Sequence, residues 1–275
     1  MENPEMSQSL IIQPAAKQQS LFSLNMRGVD ELFPGFAPGD FAVIRGSQSV
    51  TSLTSLLCIR AQLPTQLGGL GSKVVFIDGG NTLRLYQIAR LAQIHHLDPK
   101  KALAKIYISR AFTAYQMTAL IMERLKDAVE KYDAKVVIIS DIGGLFLDKD
   151  IHEEEATRVF SQVAAYLQSF ACQNQVVIIA TYPPRQSSSR NLSLQAATCG
   201  RANVVLSVTQ TMYDREFTLE KHPRFMLGTA EFPSENLTLT DFMPTQQCST
   251  TLLVEEGLPQ NFLSQRSVTR LSPSV

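Results

Sequence analysis

The sequence predicts an α/β fold in which a mostly parallel β-sheet is covered by helices on both faces. Three short segments, residues 73–78, 136–139 and 176–179, are apolar at nearly every position. Strands buried on both faces have this continuous apolar pattern, whereas half-exposed strands alternate between apolar and polar residues. Amphipathic helical patterns separate the three segments, and such alternation favours parallel strands joined by crossover helices. Beyond about residue 200 the connections shorten, which predicts an antiparallel extension of the sheet.

The individual elements follow from apolar spacing and from glycine and proline breaks. For example, Ala156, Phe160, Val163 and Leu167 recur every three or four residues, as on one face of a helix. The predicted strands are residues 41–44, 73–78, 106–108, 136–139, 176–179, 204–208 and 216–221. The predicted helices are a short one at 29–33, one that begins near Leu53, one at 84–96, and two whose apolar positions run over 117–132 and 156–170.

Three regions are expected along the chain. Residues 1–20 are polar and contain two prolines, which predicts a disordered arm. An edge strand at 10–12 is the alternative for that arm. Residues 21–244 form the predicted core domain, and residues 245–275, rich in Ser, Thr, Gln and Pro, form a predicted flexible tail.

Composition excludes several classes of function. Lysine and arginine (25) balance aspartate and glutamate (25), which argues against nucleic-acid coating by bulk charge but leaves room for a local basic patch. The four cysteines are widely separated, so neither a metal site nor a disulfide framework is expected. His95 and His96 are expected to be a solvated helix end rather than metal ligands. The cysteine usage favours a reduced, cytosolic setting, and neither a membrane-length apolar run nor a signal peptide is recognised, so a cytoplasmic location is expected.

The segment that organises the predicted core runs from Gly46 to Leu53. An apolar strand leads into Gly46, and a helix follows the polar loop, which is the context of a phosphate-binding loop. Against the spacing GxxxxGK[ST], Thr51 stands at the second glycine, Ser52 at the lysine and Leu53 at the Mg²⁺-holding hydroxyl. The intervening loop residues are Ser47, Gln48, Ser49 and Val50. A degenerate loop is therefore predicted, in which the Val50 and Thr51 side chains fill part of the phosphate space.

From about residue 25 to residue 232 the sequence resembles the ATPase core of the RecA superfamily, most closely the archaeal recombinase RadA and its paralogs. The segments that carry the resemblance are 30–39, 68–84, 97–117 and 217–223. Lys73–Asp78 with Thr82 and Arg84 is similar to the family's IDTEGTFR, and 97–117 is similar to its LDP…NIYVARAY…QM segment. The resemblance implies a RecA-like P-loop NTPase fold and the activity of a DNA-dependent ATPase.

The sequence departs from that pattern at its catalytic positions. Gly80 stands where the family has its catalytic glutamate, and Ser140 where it has the Walker B aspartate. Asp141 lies one residue further on, and alternation along a strand would turn its side chain to the other face. The polar sensor after the next strand reads Thr181-Tyr182. Asp78 is predicted either to touch a nucleotide-associated water or to be a strand-end carboxylate satisfied by backbone N–H groups.

The family's two DNA-binding loops also have altered counterparts. Residues 148–155, in place of the first loop, are acidic, and Glu153 to Glu155 are expected to favour the N-terminus of the next helix. The second loop is expected to be flexible over residues 183–191. Between residues 185 and 201 there are three arginines and no acid, so Arg185, Arg190 and Arg201 are the candidate contacts to single-stranded DNA. A mobile surface loop without a DNA role is the alternative.

The sequence thus predicts a non-catalytic paralog that assists DNA recombination and repair by binding a recombinase or another RecA-like subunit, single-stranded DNA, or both. No cofactor is expected, although weak ATP binding is an open alternative. If the protein binds DNA, it is expected to associate with the nucleoid. Two further alternatives are an active ATPase completed by a neighbouring subunit and a RecA-fold scaffold without a DNA role.

Overall fold

A computed structural model describes residues 21–210 and 215–231. Most of them form one eight-stranded sheet and the helices that cover it. Its strands are β1 (Phe41–Gly46), β2 (Lys73–Asp78), β3 (Ile106–Arg110), β4 (Ala134–Ser140), β5 (Val177–Tyr182), β6 (Val204–Gln210), β7 (Arg215–Lys221) and β8 (Gly228–Glu231). Their order across the sheet is β3-β2-β4-β5-β1-β6-β7-β8. The predicted arm at 1–20 and tail at 245–275 lie outside the described residues.

The sheet is parallel from β3 to β6 and antiparallel from β6 to β8. This confirms the predicted α/β fold with its antiparallel extension. The continuous apolar strands are buried on both faces, as at Val136 to Ile139 in β4. β8 was not predicted, because its four residues (Gly-Thr-Ala-Glu) have no apolar pattern of their own.

Eight α-helices are described within residues 21–210 and 215–231, and they form two layers. They are α1 (Val29–Leu32), α2 (Ser49–Arg60), α3 (Leu85–Ile94), α4 (Pro99–Leu103), α5 (Ala114–Met122), α6 (Leu125–Tyr132), α7 (Glu153–Asn174) and α8 (Ser189–Arg201). The first four contribute to the apolar core on one face of the sheet, and the last four to the core on the other face. None of the described helices is long and apolar enough to cross a membrane.

Two predicted helices and one predicted loop are corrected. The helix expected near Leu53 begins at Ser49. The apolar positions at 117–132 belong to two helices, α5 and α6, which are separated at Glu123 and Arg124. Residues 189–191, expected in a flexible loop, begin α8. In α8 the residues that face inward include Asn191 and Thr198, and polar residues at these positions weaken the apolar period that reveals a helix.

A buried arginine fixes the chain before β1. Arg60, at the end of α2, donates from Nε to the carbonyl of Ser23 (3.1 Å) and from Nη2 to the carbonyl of Leu67 (2.5 Å). Burial lowers the pKa of Arg60 to about 10, and the nearby charge of Asp30 opposes this shift. Burial also lowers the pKa of His95 to about 4, with smaller contributions from the charges of Arg60 and His96.

Candidate functional site

The carboxyl ends of β2, β4, β5 and β1 lie side by side, because these four parallel strands are consecutive in the sheet. In open α/β sheets this edge is where ligands bind. The same edge carries most of the site residues predicted from the sequence. The contacts made there decide what this edge can bind.

The turn from β1 to α2 is very short, since only Ser47 and Gln48 separate the strand from the helix. Gly46 has φ 122°, and a Cβ there would collide with the backbone of Val208 on β6. The Ser47 N–H donates to the Val208 carbonyl (2.7 Å). The expected strand-to-helix turn is therefore present, and Gly46 is required by this close approach.

The first turn of α2 occupies the backbone donors that a phosphate-binding loop leaves free. The Val50 N–H donates to the Ser47 carbonyl and the Thr51 N–H to the Gln48 carbonyl, both at 3.1 Å. The side chains of Val50 and Thr51 are buried, and so is Leu53, whereas Ser52 is half-buried. An anion at a helix N-terminus is bound through such unpaired N–H groups, and two of them are used here. The helix begins four residues earlier than predicted, and Thr51 stands where the pattern has a helix-weakening glycine.

The carboxylate of Asp78, only 1% exposed, is held by its own chain. Its Oδ1 accepts the Thr82 backbone N–H (3.0 Å) and the hydroxyl of Ser140 (2.8 Å). Its Oδ2 lies 3.5 Å from Nε of Arg110. Ser140 is the register partner of Asp78 across β2 and β4, so the serine at the Walker B position contacts this neighbouring acid. Of the two interpretations of Asp78, the contact with a backbone N–H is observed.

Asp141 forms an ion pair with Arg185. The residue has φ 52° and is 2% exposed, and its Oδ2 accepts from Nη2 of Arg185, whose side chain is 40% exposed. Its backbone N–H donates to the hydroxyl of Thr181 (3.1 Å). The carboxylate next to the Walker B position is thus neutralised by an arginine from the segment that follows β5.

Gly80 and Gly144 leave the space that this ion pair fills. A Cβ at Gly80 would lie 2.8 Å from both Cβ and Oδ2 of Asp141, and 3.0 Å from Cγ2 of Thr82. A Cβ at Gly144 would collide with the paired groups of Asp141 and Arg185. Contacts shorter than 3.0 Å require the neighbouring atoms to move, here those of Asp141. A glutamate at position 80 therefore has no room while the ion pair is in place.

Tyr182, at the end of β5, is buried beneath this edge. Its hydroxyl lies 2.5 Å from Oγ1 of Thr198 and donates to the Leu194 carbonyl (3.3 Å). Burial raises the pKa of Tyr182 well above its usual range, so the hydroxyl stays protonated. The tyrosine at the sensor position consequently anchors α8 to the sheet.

Two of the three candidate DNA-binding arginines make intramolecular contacts. Arg185 pairs with Asp141, as described above. Arg190, in the first turn of α8, donates from Nη1 to the carbonyls of Asp148 and Ile151, both at 3.1 Å. Arg201 is the exposed last residue of α8. The DNA-binding role of all three remains a prediction.

The acidic segment lies where the sequence places it. Glu153, Glu154 and Glu155 form the first turn of α7, where negative charge is favourable. Oε1 of Glu155 accepts from the hydroxyl of Tyr115 on α5 (3.2 Å). Among the described residues, no group of three or more His, Cys, Asp or Glu side chains is placed to hold a metal ion.

Sequence reasoning missed two features of this edge. The first is the contact of Arg110, the last residue of β3, with Asp78. A basic residue at the end of a predicted strand was the sequence feature that could have indicated this contact. The pairing of Asp141 with Arg185 joins residues 44 positions apart and depends on the adjacency of β4 and β5.

A parallel sheet with this strand order and a glycine-led turn at the carboxyl end of β1 define a RecA-like core. The family model described as Rad51 matches residues 32–189, more than half of the chain. The protein therefore belongs to the Rad51 family.

Two curated relatives are similar over shorter regions. The DNA repair and recombination protein RadA of Cenarchaeum symbiosum is 27% identical over 123 residues, which cover 45% of this chain and 28% of that protein. The meiotic recombination protein DMC1 of Saccharomyces cerevisiae is 30% identical over 92 residues, which cover 34% of this chain and 27% of that protein. The matches thus span little more than a quarter of each relative's length.

Proposed function

We propose that this chain is a non-catalytic member of the Rad51 family that assists DNA recombination and repair by binding a RecA-like partner. The names of the two relatives, which concern DNA repair and recombination, support the process. The observation that carries the non-catalytic part is the Asp141–Arg185 ion pair, which fills the space beside Gly80.

The residues at this edge do not fit Mg²⁺-ATP as the family would hold it. Ser52 offers no positive charge, Leu53 is a buried apolar residue, and the hydroxyl of Ser140 is bonded to Asp78. Phosphoryl transfer depends on positioning and on charge stabilisation, and one missing donor of this kind typically costs about 10²–10³ in rate. Several are missing together, which supports a pseudo-ATPase.

The exposed edge of the sheet supports the partner-binding part. Within the described residues β3 pairs on one side only, with β2, and Ile108 at its centre is 44% exposed. On the face of the sheet opposite to Ile108, a cavity of about 320 Å³ opens between this edge and α6. Its lining includes Val75, Ile77, Leu120 and Tyr132 as well as Arg124, Asp127 and Lys131. An unpaired edge strand beside a cavity with both apolar and charged lining suits an extended segment of a partner that adds a strand and inserts a side chain.

ATP turnover separates this proposal from the alternative of an ATPase completed by a neighbouring subunit. The purified protein is expected to release no phosphate above background, with or without single-stranded DNA, and Ser52→Lys should not change that. Turnover by the unmodified protein that is abolished by Asp78→Ala would show that the non-catalytic assignment is wrong.

Partner binding is tested by affinity capture from native lysate after nuclease treatment. A RecA-family protein should be recovered with the wild type and lost with Ile108→Asp, which places a charge on the β3 edge. The matched control is Leu67→Asp, which changes an exposed leucine (57%) outside the sheet. Recovery that depends on nucleic acid, or that survives Ile108→Asp, would contradict docking at this edge.

A further inference from the structure

The formal net charge of the whole chain is zero, but positive and negative side chains are concentrated in different segments. Residues 79–110 contain six lysines and arginines and one aspartate, whereas residues 123–155 contain ten acids and five bases. The basic part includes α3 and α4, which pack on one face of the sheet. The acidic part includes α6 and the start of α7, which pack on the other. The neutral composition therefore hides a basic surface.

The basic side chains are exposed and keep their charge available. Arg84, Arg90, Lys100, Lys101 and Lys105 are all solvent-exposed, and none is in the ion pairs formed among the described residues. The one acid of the segment, Asp98, uses Oδ1 to accept the backbone N–H groups of Lys100 (2.9 Å) and Lys101 (3.4 Å) at the start of α4. The carboxylate of Asp98 thus accepts hydrogen bonds from the backbone at the start of α4 and forms no ion pair with the lysine side chains of the segment.

An aromatic side chain lies among these cations. Tyr86, in the first turn of α3, is 95% exposed, the largest exposed fraction among the described large hydrophobic residues. Arg90 is one turn further along the same face of the helix, and Arg84 precedes the helix. The distance from Arg84 to Arg90 along the axis is about 9 Å at 1.5 Å per residue. An exposed tyrosine next to two arginines offers a flat apolar face and positive charge to the same ligand, which suits a base and its phosphate.

We propose that the α3–α4 face, defined by Arg84, Tyr86, Arg90, Lys100, Lys101 and Lys105, binds single-stranded DNA. Lysines and arginines would neutralise phosphates, and Tyr86 would stack on a base, which is the combination that sequence-independent single-strand binding uses. This inference goes beyond the proposed function, which is partner binding, by placing a DNA contact on a surface away from Arg185 and Arg190. Those two arginines contact their own chain, so binding through them would first require breaking these contacts.

The test is a fluorescence-anisotropy titration of a labelled oligo(dT) at several salt concentrations with the full-length protein. The wild type should bind weakly. The slope of log K against log salt concentration should be about −0.7 for each phosphate that is neutralised. With five cations on this face, the total slope should be no steeper than about −3.5. The double variant Arg90→Ala/Lys101→Ala should flatten this slope by about 1.4. Lys126→Ala/Arg158→Ala removes the same two side-chain types from exposed positions on α6 and α7 and should leave the slope unchanged.

Substitutions of Tyr86 test the stacking contribution to DNA affinity separately from the contribution of charge. Tyr86→Ala should lower the affinity about tenfold without changing the salt slope, and Tyr86→Phe should retain the wild-type affinity.

Three results would overturn the assignment. They are no binding of wild type at 50 mM salt, equal binding by Arg90→Ala/Lys101→Ala, and binding to phosphatidylserine vesicles without binding to the oligonucleotide. None of these results depends on ATP turnover or on capture through the β3 edge, so the proposed pseudo-ATPase and the DNA contact can fail independently.

Discussion

Gly80 has no side chain because Asp141 and Thr82 occupy the space that a side chain would need. A Cβ at this position would meet atoms of both residues at 3.0 Å or less. The glycine at the catalytic-glutamate position and the internal Asp141–Arg185 ion pair are therefore two parts of one arrangement.

The cost of a side chain at position 80 can be measured directly. Gly80→Ala is expected to lower the free energy of unfolding by about 1–3 kcal/mol, because overpacking forces neighbouring groups to move. Urea denaturation monitored by circular dichroism gives this value. The control is Gly200→Ala in α8, where an added Cβ meets nothing within 4 Å and alanine favours the helix. Equal stability of Gly80→Ala and wild type would show that the space beside Asp141 is open.

Arg185 is expected to stabilise the fold. Arg185→Ala leaves the carboxylate of Asp141 buried and unpaired, which should cost about 1–3 kcal/mol of unfolding free energy. Asp141→Asn in the Arg185→Ala background should restore part of this loss, since an amide needs no counter-charge. A double-mutant cycle measured by urea denaturation gives the coupling energy. A coupling near zero would mean that the ion pair contributes no stability.

At the residue scale the sequence predicted what is missing but not what replaces it. The absent lysine, glutamate and Walker B aspartate are visible at Ser52, Gly80 and Ser140. The contact of Ser140 with Asp78 and the pairing of Asp141 with Arg185 require the strand order, which no local pattern contains.

At the scale of elements, α2 and α8 differ most from expectation. α2 extends into the region expected to be a loop, where its backbone donors bond within the turn. α8 replaces part of a loop expected to be flexible, and its Ser188 side chain accepts the Asn191 N–H (3.1 Å) as an N-cap. The strands were predicted closely because a continuous apolar run leaves few other conformations. The start of α8 was missed because the helix buries polar residues that carry no hydrophobic period.

The cap of α8 can be tested by Ser188→Ala. Loss of the cap should lower the free energy of unfolding by about 1 kcal/mol and speed amide hydrogen exchange in the first turn of α8. Ser187→Ala, at the exposed preceding residue, is the matched control and should have little effect. If the amides of Asn191 and Leu192, which donate to Ser188 in the structure, exchange at unprotected rates in the wild type, the first turn of α8 is not formed.

At the scale of the whole molecule, stability is expected to fall at mildly acidic pH because of His95. Its pKa is about 4 in the fold, below the usual 6.5, because burial disfavours the charged ring. The neutral histidine therefore contributes stability that is fully present above pH 6.5 and is lost as the pH falls through about 4. Since the ring is only partly buried, the contribution is expected to be about 1–2 kcal/mol.

Chemical denaturation of the wild type and of His95→Gln at pH 7.0, 5.5 and 4.5 measures this contribution. The difference in unfolding free energy between the two proteins should shrink as the pH falls from 7.0 to 4.5. A difference for His95→Gln that is independent of pH would contradict the assignment to this ring.

The central claim for the whole molecule is that the edge which binds nucleotide in a phosphate-binding fold is closed by the chain's own contacts. Equilibrium dialysis of the purified protein against radiolabelled ATP with Mg²⁺ tests this claim most directly, with a catalytic RecA-family recombinase as the positive control. The helical first turn of α2 and the neutralised Asp78 and Asp141 predict no saturable binding up to about 1 mM ATP, a concentration at which a Kd of 1 mM would give half-occupancy. Saturable, Mg²⁺-dependent binding of one ATP per chain would contradict the claim.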